Sequence, residues 1–155
     1  MPTANVFTAE FEYDDDDPDG YRSGAALISR LAGGKENVVK AFQVPPGQSI
    51  CPYHYEYVEE WLLVLEGELT LREPAGERVL RRGDLICCPS GPGGAHKVTN
   101  LSDSAALTLM WSSAHEPSVA VYPDSDKIGV WPGSAEDEVM LRRADGKVDY
   151  WDGER

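Results

Sequence analysis

Histidine is scarce in this chain, three residues in 155, and cysteine, methionine and phenylalanine are as rare at three each. Cys51, Cys87 and Cys88 leave at least one thiol unpaired, and the neighbours Cys87 and Cys88 could join only through a strained small ring. That excludes a disulfide-stapled scaffold and suits a reducing compartment. Basic residues are also short: 14 Lys and Arg stand against 27 Asp and Glu, a net charge of -13. Such a balance repels nucleic acid and anionic membrane surfaces, so neither is an expected partner. No apolar stretch nears membrane-spanning length, and Met1 to Glu10 lacks a positive start followed by an apolar run, so the expected location is cytoplasmic. Helical periodicity is missing too. No long segment repeats apolar residues at i, i+3, i+4 and i+7, and no helix-turn-helix pattern flanks the central region.

What is present is a rhythm of short apolar runs and turn residues, which predicts an all-β chain. Strands are expected around Ala25 to Leu31, Val38 to Val44, Trp61 to Glu73, Arg78 to Arg81, Leu85 to Cys88, His96 to Asn100, Ala105 to Trp111 and Val119 to Tyr122. Punctuation falls at Pro45-Pro46-Gly47, Glu66-Gly67, Pro74-Ala75-Gly76, Arg82-Gly83-Asp84 and Pro89 to Gly94. A chain of this length forms one domain. Residues 1-24, with the run Asp14 to Asp17, read as an acidic arm, residues 25-122 as a barrel or sandwich, and residues 123-155 as an extended arm packing on the barrel or a partner subunit. Cys87 and Cys88 are expected to fill a buried strand.

The chemistry concentrates in two short segments. His54, Glu56 and Glu60 stand at even spacing, so an extended segment would point all three to one face. His96 opens a later strand after a Gly- and Pro-rich loop and supplies a fourth donor. Imidazole and carboxylate together suit one divalent ion, Zn, Fe, Mn or Ni. Tyr53, Tyr55 and Tyr57 have the opposite parity and are expected to pack against a second sheet, with Tyr53 a candidate for the pocket mouth. Glu59 falls on the opposite face. His115 is expected in a loop without a role, and Arg72, Arg78, Arg81 and Arg82 around a hairpin read as surface charges.

These segments resemble the two motifs of the cupin superfamily, G-x5-H-x-H-x3,4-E-x6-G and G-x5-P-x-G-x2-H-x3-N. The first is met by Gly47, His54, Glu56, Glu60 and Gly67, the second by Gly83, Pro89, Gly91, His96 and Asn100. The gap from Gly47 to His54 is one residue longer than the pattern, and two extra residues separate Gly91 from His96. Glu56 stands where the family usually has a second histidine. The resemblance implies a cupin-type antiparallel β-barrel, a jelly roll, with His54, Glu60 and His96 as metal ligands. Glu56 inherits a ligand position with a different donor, as a further ligand or as a catalytic proton carrier. It also implies a small polar substrate, a sugar derivative or organic acid, with isomerase or epimerase chemistry favoured over dioxygenase chemistry; a non-catalytic small-ligand-binding module is the alternative.

Leu62-Leu63-Val64-Leu65 is apolar at consecutive positions, so both faces of its strand need cover. Together with the rings of Trp131, Tyr150 and Trp151, this leads to the expectation of a homodimer in which the segment from Trp131 to Trp151 packs across the barrel or its partner.

Overall fold

The computed structural model describes residues 1–154. Strand β1 (Gly24–Leu27) runs into a single helical turn, α1 (Ile28–Leu31), where the sequence predicted one strand through Leu31. The turn closes with Ala32 N–H bonded to the Ile28 carbonyl, followed by Gly33 and Gly34. Then come β2 (Asn37–Val44), β3 (Tyr55–Glu56), β4 (Glu60–Glu66), β5 (Glu68–Glu73), β6 (Gly76–Arg81), β7 (Leu85–Cys88), β8 (Lys97–Thr99), β9 (Ala106–Ser113) and β10 (Ser118–Tyr122). Two further strands, β11 (Lys127–Trp131) and β12 (Val139–Arg142), lie in the region read from sequence as an arm. β11 pairs antiparallel with β10, and β12 with β11, so the sheet continues past Tyr122.

The strands make three antiparallel sheets: β1-β2-β9-β4-β7, β12-β11-β10-β3 and β6-β5-β8. They wrap as the jelly roll of the cupin fold, and the wall is three sheets and not one closed hydrogen-bonded ring. The run predicted as one strand from Trp61 to Glu73 breaks at Gly67, which sends β4 to the five-stranded sheet and β5 to the three-stranded one. Gly67 has φ 74°, and a Cβ there would sit 3.0 Å from the Ala106 Cα, so both its conformation and its neighbour demand glycine.

Period-two alternation explains the core. Val44, Leu62, Val64, Leu69, Leu71, Leu80, Ile86 and Val98 turn inward and pack together, contributed by all of the strands around them. The apolar run in β4 divides accordingly: Leu62 and Val64 are buried inside, while Leu63 and Leu65 are half-buried outside. The same alternation corrects the cysteine expectation, since Cys88 is buried and Cys87 points outward and is exposed. The acidic arm is pinned where Glu12 and Ala25 exchange backbone hydrogen bonds and where the Tyr13 hydroxyl meets the Gln43 side chain at 2.6 Å. Among the described residues no helix is long and apolar enough to cross a membrane.

Candidate metal centre

His54 and His96 face each other across an isolated antiparallel bridge that joins β3's strand to β8's. The His54 N–H donates to the His96 carbonyl at 3.0 Å and the His96 N–H to the His54 carbonyl at 2.8 Å. Directly opposed residues of an antiparallel pair project to one face, so the two rings lie side by side with centroids 4.8 Å apart. Glu60 arrives from the other sheet, with Oε2 3.6 Å from His54 Nε2 and 3.8 Å from His96 Nε2. The segment 54–60 is therefore not one extended strand, as its even spacing suggested. It turns after Glu56 and resumes at Glu60, and the convergence is made across two sheets.

The orientation of both rings is set from behind. His54 Nδ1 lies 3.0 Å from the Pro52 carbonyl and His96 Nδ1 lies 2.9 Å from the Gly94 carbonyl. A carbonyl only accepts, so in the neutral rings Nδ1 carries the proton and Nε2 presents its lone pair to Glu60. His96, 1 % exposed, has an Nε2 that is buried without any hydrogen-bond partner. A buried acceptor left alone costs roughly 1–3 kcal/mol, and a metal ion is the partner this lone pair, the second imidazole and the carboxylate would share. The residues fit: one donor atom each from His54, Glu60 and His96 lies within 4.8 Å of the others, a group that could hold an ion.

The loop before His96 owes its shape to small residues. A Cβ on Gly94 would fall 1.8 Å from the Pro89 carbonyl oxygen, so the chain closes on itself there in a way open to glycine alone. Gly91 N–H binds the Glu56 carbonyl at 2.7 Å and ties the loop to β3. Beyond the strand, fully buried Asn100 donates to the Val44 carbonyl at 2.7 Å and the Ser104 carbonyl at 2.8 Å, and accepts from Ser102.

Burial dominates the electrostatics. It lowers His54 to about 4, with His96 adding to the effect, and also lowers His96. Both imidazoles are thus neutral at neutral pH and able to ligate. The neutral rings offer Glu60 no opposite charge, and burial lifts its carboxyl to about 7. Burial first and Glu60 second lift Glu56 to about 7 as well. Cys51, whose Sγ is 3.6 Å from His54 Nδ1, is pushed up to about 12 by burial and by Glu60 and Glu56. A thiol held protonated in this way is a poor nucleophile.

The group opens onto a cavity of about 510 Å³ whose wall includes Glu56, Val58, Met110, Trp111 and Trp131. Glu56 reaches this cavity but does not join the group of three donors. His115, given no role from sequence, lies in the loop after β9 as expected and yet borders the cavity, together with Ser112, Ser113 and Glu116. Lys40 was overlooked entirely, although the alternation in β2 carries the signal: Val38, Lys40, Phe42 and Val44 share one face, and three of them are apolar. Tyr55 packs with Ala95, Val121 and Ile128, whereas Tyr57 is exposed and meets Tyr55 edge-on. Tyr53 stands outside this cavity's lining, beneath the Arg72 guanidinium, which also pairs with Asp124 at the surface.

The molecule is a jelly roll in which two neutral histidines and a glutamate form a group that could hold a metal ion, with His54 and Glu60 bordering the cavity. Residues 41–112 match the family model of the cupin domain. Among curated proteins no sequence matches it. Among solved structures it is similar to a cupin sugar phosphate isomerase of Silicibacter pomeroyi, with 21% identity, TM-score 0.81 and coverage of 96% of this chain and 98% of that one. A protein of Acidithiobacillus ferrooxidans assigned as a sugar phosphate isomerase is 21% identical with TM-score 0.79, over 92% of this chain and 89% of its own. The polyketide cyclase RemF of Streptomyces resistomycificus is 20% identical with TM-score 0.63, over 74% and 80%. At these identities the likeness is one of fold.

Proposed function

We propose that this cupin is a metal-dependent enzyme that isomerises or epimerises a small polar substrate, a sugar derivative or an organic acid. The observation that carries the reading is the unpartnered, buried Nε2 of His96 beside His54 and Glu60, two residues that line a cavity large enough for such a molecule. His54, Glu60 and His96 would hold the ion, and two imidazoles with one carboxylate suit Zn, Fe, Mn or Ni. When bound, the ion supplies Lewis acidity toward a substrate carbonyl or hydroxyl. Glu56, on the cavity wall outside the donor group, is placed to carry a proton to or from a substrate carbon or oxygen. The names of the two neighbours with the higher TM-scores support the sugar side of the reading.

The working form in this reading is a cytoplasmic homodimer. The outer face of the five-stranded sheet carries Trp61 stacked on Trp111, with Leu63 and Leu109 in the next row, and such a face favours a second copy. Tyr150 and Trp151 touch each other and are 84% and 69% exposed, so they remain available to a partner.

Elemental analysis of protein purified without chelator, followed by turnover against a panel of sugars, sugar phosphates and organic acids, tests the function. One equivalent of a transition metal is expected, lost in His96→Ala, while Glu56→Gln keeps the metal and loses turnover. A full equivalent of metal in His96→Ala would overturn the site, and metal-free protein carrying a small molecule would favour a binding module.

A further inference from the structure

The inward face of β2 holds one residue that packing does not explain. Lys40 pairs with Met110 of β9, Met110 with Leu62 of β4, and Leu62 with Ile86 of β7, so the row across the sheet is apolar except at Lys40. A leucine or methionine there would extend the core. Lys40 instead projects into the cavity, exposed to its water, and takes part in none of the ion pairs among the described residues. Its neighbours on the wall are acidic: Glu56, Glu60 and Glu116. Among the described residues lining the cavity, Lys40 is the sole lysine or arginine, in a chain of net charge -13. A substrate that needed only polar contacts would find hydroxyls and carboxylates in plenty; an ammonium outside any ion pair and facing the cavity is placed to meet an anion.

Its placement suits a substrate spanning the cavity. Glu60, Ser112 and Val38 form the row beside the metal-capable group, and Lys40 lies one inward step deeper. β9 separates β2 from β4, so Lys40 and Glu60 stand two strand spacings apart, about 10 Å, and one same-face step, about 7 Å, along the strands. A flexible lysine reaching into that gap leaves room for a short carbon skeleton between its ammonium and the donors of His54, Glu60 and His96.

We propose that Lys40 determines specificity by binding an anionic group, a phosphate ester or a carboxylate, at one end of the substrate while the His54, Glu60 and His96 group meets the other. The proposal rests on the reading of this cavity as the substrate site, and it restricts the substrate class to anionic sugar derivatives or organic acids.

Anion binding is read directly, without turnover, by isothermal titration calorimetry. Inorganic phosphate and malonate are titrated in turn into wild type, Lys40→Met and Lys40→Arg, each with and without Mn²⁺, whose binding is followed separately by electron paramagnetic resonance. Wild type is expected to bind at least one of the two anions saturably, and which one distinguishes a phosphate ester from a carboxylic acid. Lys40→Met is expected to bind it about tenfold or more weakly, the loss of a charge-assisted contact, and Lys40→Arg to stay near wild type. Unchanged affinity in a folded Lys40→Met, or no binding of either anion to wild type, would overturn the proposal. Retained Mn²⁺ binding in that case leaves the metal reading standing, and Lys40-dependent anion binding without any Mn²⁺ binding would remove the metal reading alone.

Discussion

Replacing Glu60 by glutamine should make the metal-free protein more stable at alkaline pH and less so in relative terms as the medium becomes acid. The Glu60 carboxyl titrates at about 7 in the folded chain against 4.5 when unperturbed, because it is buried beside two uncharged imidazoles. Between those values the folded state holds a proton that the unfolded state has released. The contribution of this group is therefore complete below pH 4.5 and is lost as pH rises through 7. At about 1.4 kcal/mol per pH unit, the displacement is worth on the order of 3 kcal/mol. Glutamine keeps the shape and cannot ionise, so it escapes that loss. Glu56, which Glu60 holds up, relaxes in the variant and adds to the difference in the same direction. His54 has the opposite sign, since its value is lowered to about 4 and its contribution fades as pH falls below 6.5, but both proteins share it. Urea unfolding of chelator-treated wild type and Glu60→Gln from pH 4.5 to 8.5 checks the reasoning. With a urea slope of roughly 2 kcal/mol/M, the midpoint difference should change by about 1.5 M across the range. Parallel midpoint curves would refute it. Saturating metal at pH 8 should offset most of the variant's advantage, stabilising wild type by about 2.7 kcal/mol at a hundredfold excess over the dissociation constant and the variant by much less.

Gly94→Ala puts a Cβ onto the Pro89 carbonyl and should cost about 1–3 kcal/mol while displacing the carbonyl that orients His96, so metal affinity measured by competition should fall roughly 10- to 100-fold. Unaltered affinity would mean the loop does not hold the ring. Asn100→Ala strips two buried carbonyls of their donor and should lower the unfolding free energy by on the order of 3 kcal/mol with the metal stoichiometry intact, which chemical denaturation and elemental analysis would read together. Sedimentation of the full chain should show a dimer that Trp61→Asp dissociates, and a chain ending at Gly146 reports whether Tyr150 and Trp151 contribute; a full-length monomer would sink the dimer.

Much of the fold was legible because it depends on local rules. Alternating apolar residues and turn dipeptides place most strands within a few residues, and the glycines at Gly67 and Gly91 stand where the backbone takes positive φ. Local reasoning failed where a segment's state depends on its surroundings. Ile28 to Leu31 has strand-like composition but coils into one helical turn, and β11 and β12 are short apolar runs set among Asp, Glu and Gly that become strands where β10 offers an edge to pair with. Cys87 and Cys88 likewise look equally apolar, and only the face each presents separates them.

By itself the sequence determined that this is a β-rich chain with a cupin domain, and its motif spacing pointed to His54, Glu56, Glu60 and His96 as metal ligands; of these, His54, Glu60 and His96 come together in the structure. Only the tertiary structure decided how they meet. The pairing of His54 with His96 and the passage of β4 into another sheet are contacts between residues distant in sequence, and the orphaned Nε2 of His96 exists only once both are made. The same holds for Lys40 and His115: a single charge in an apolar strand and a histidine in a loop are brought to one cavity only by the fold, and a cavity is a property of the assembled walls.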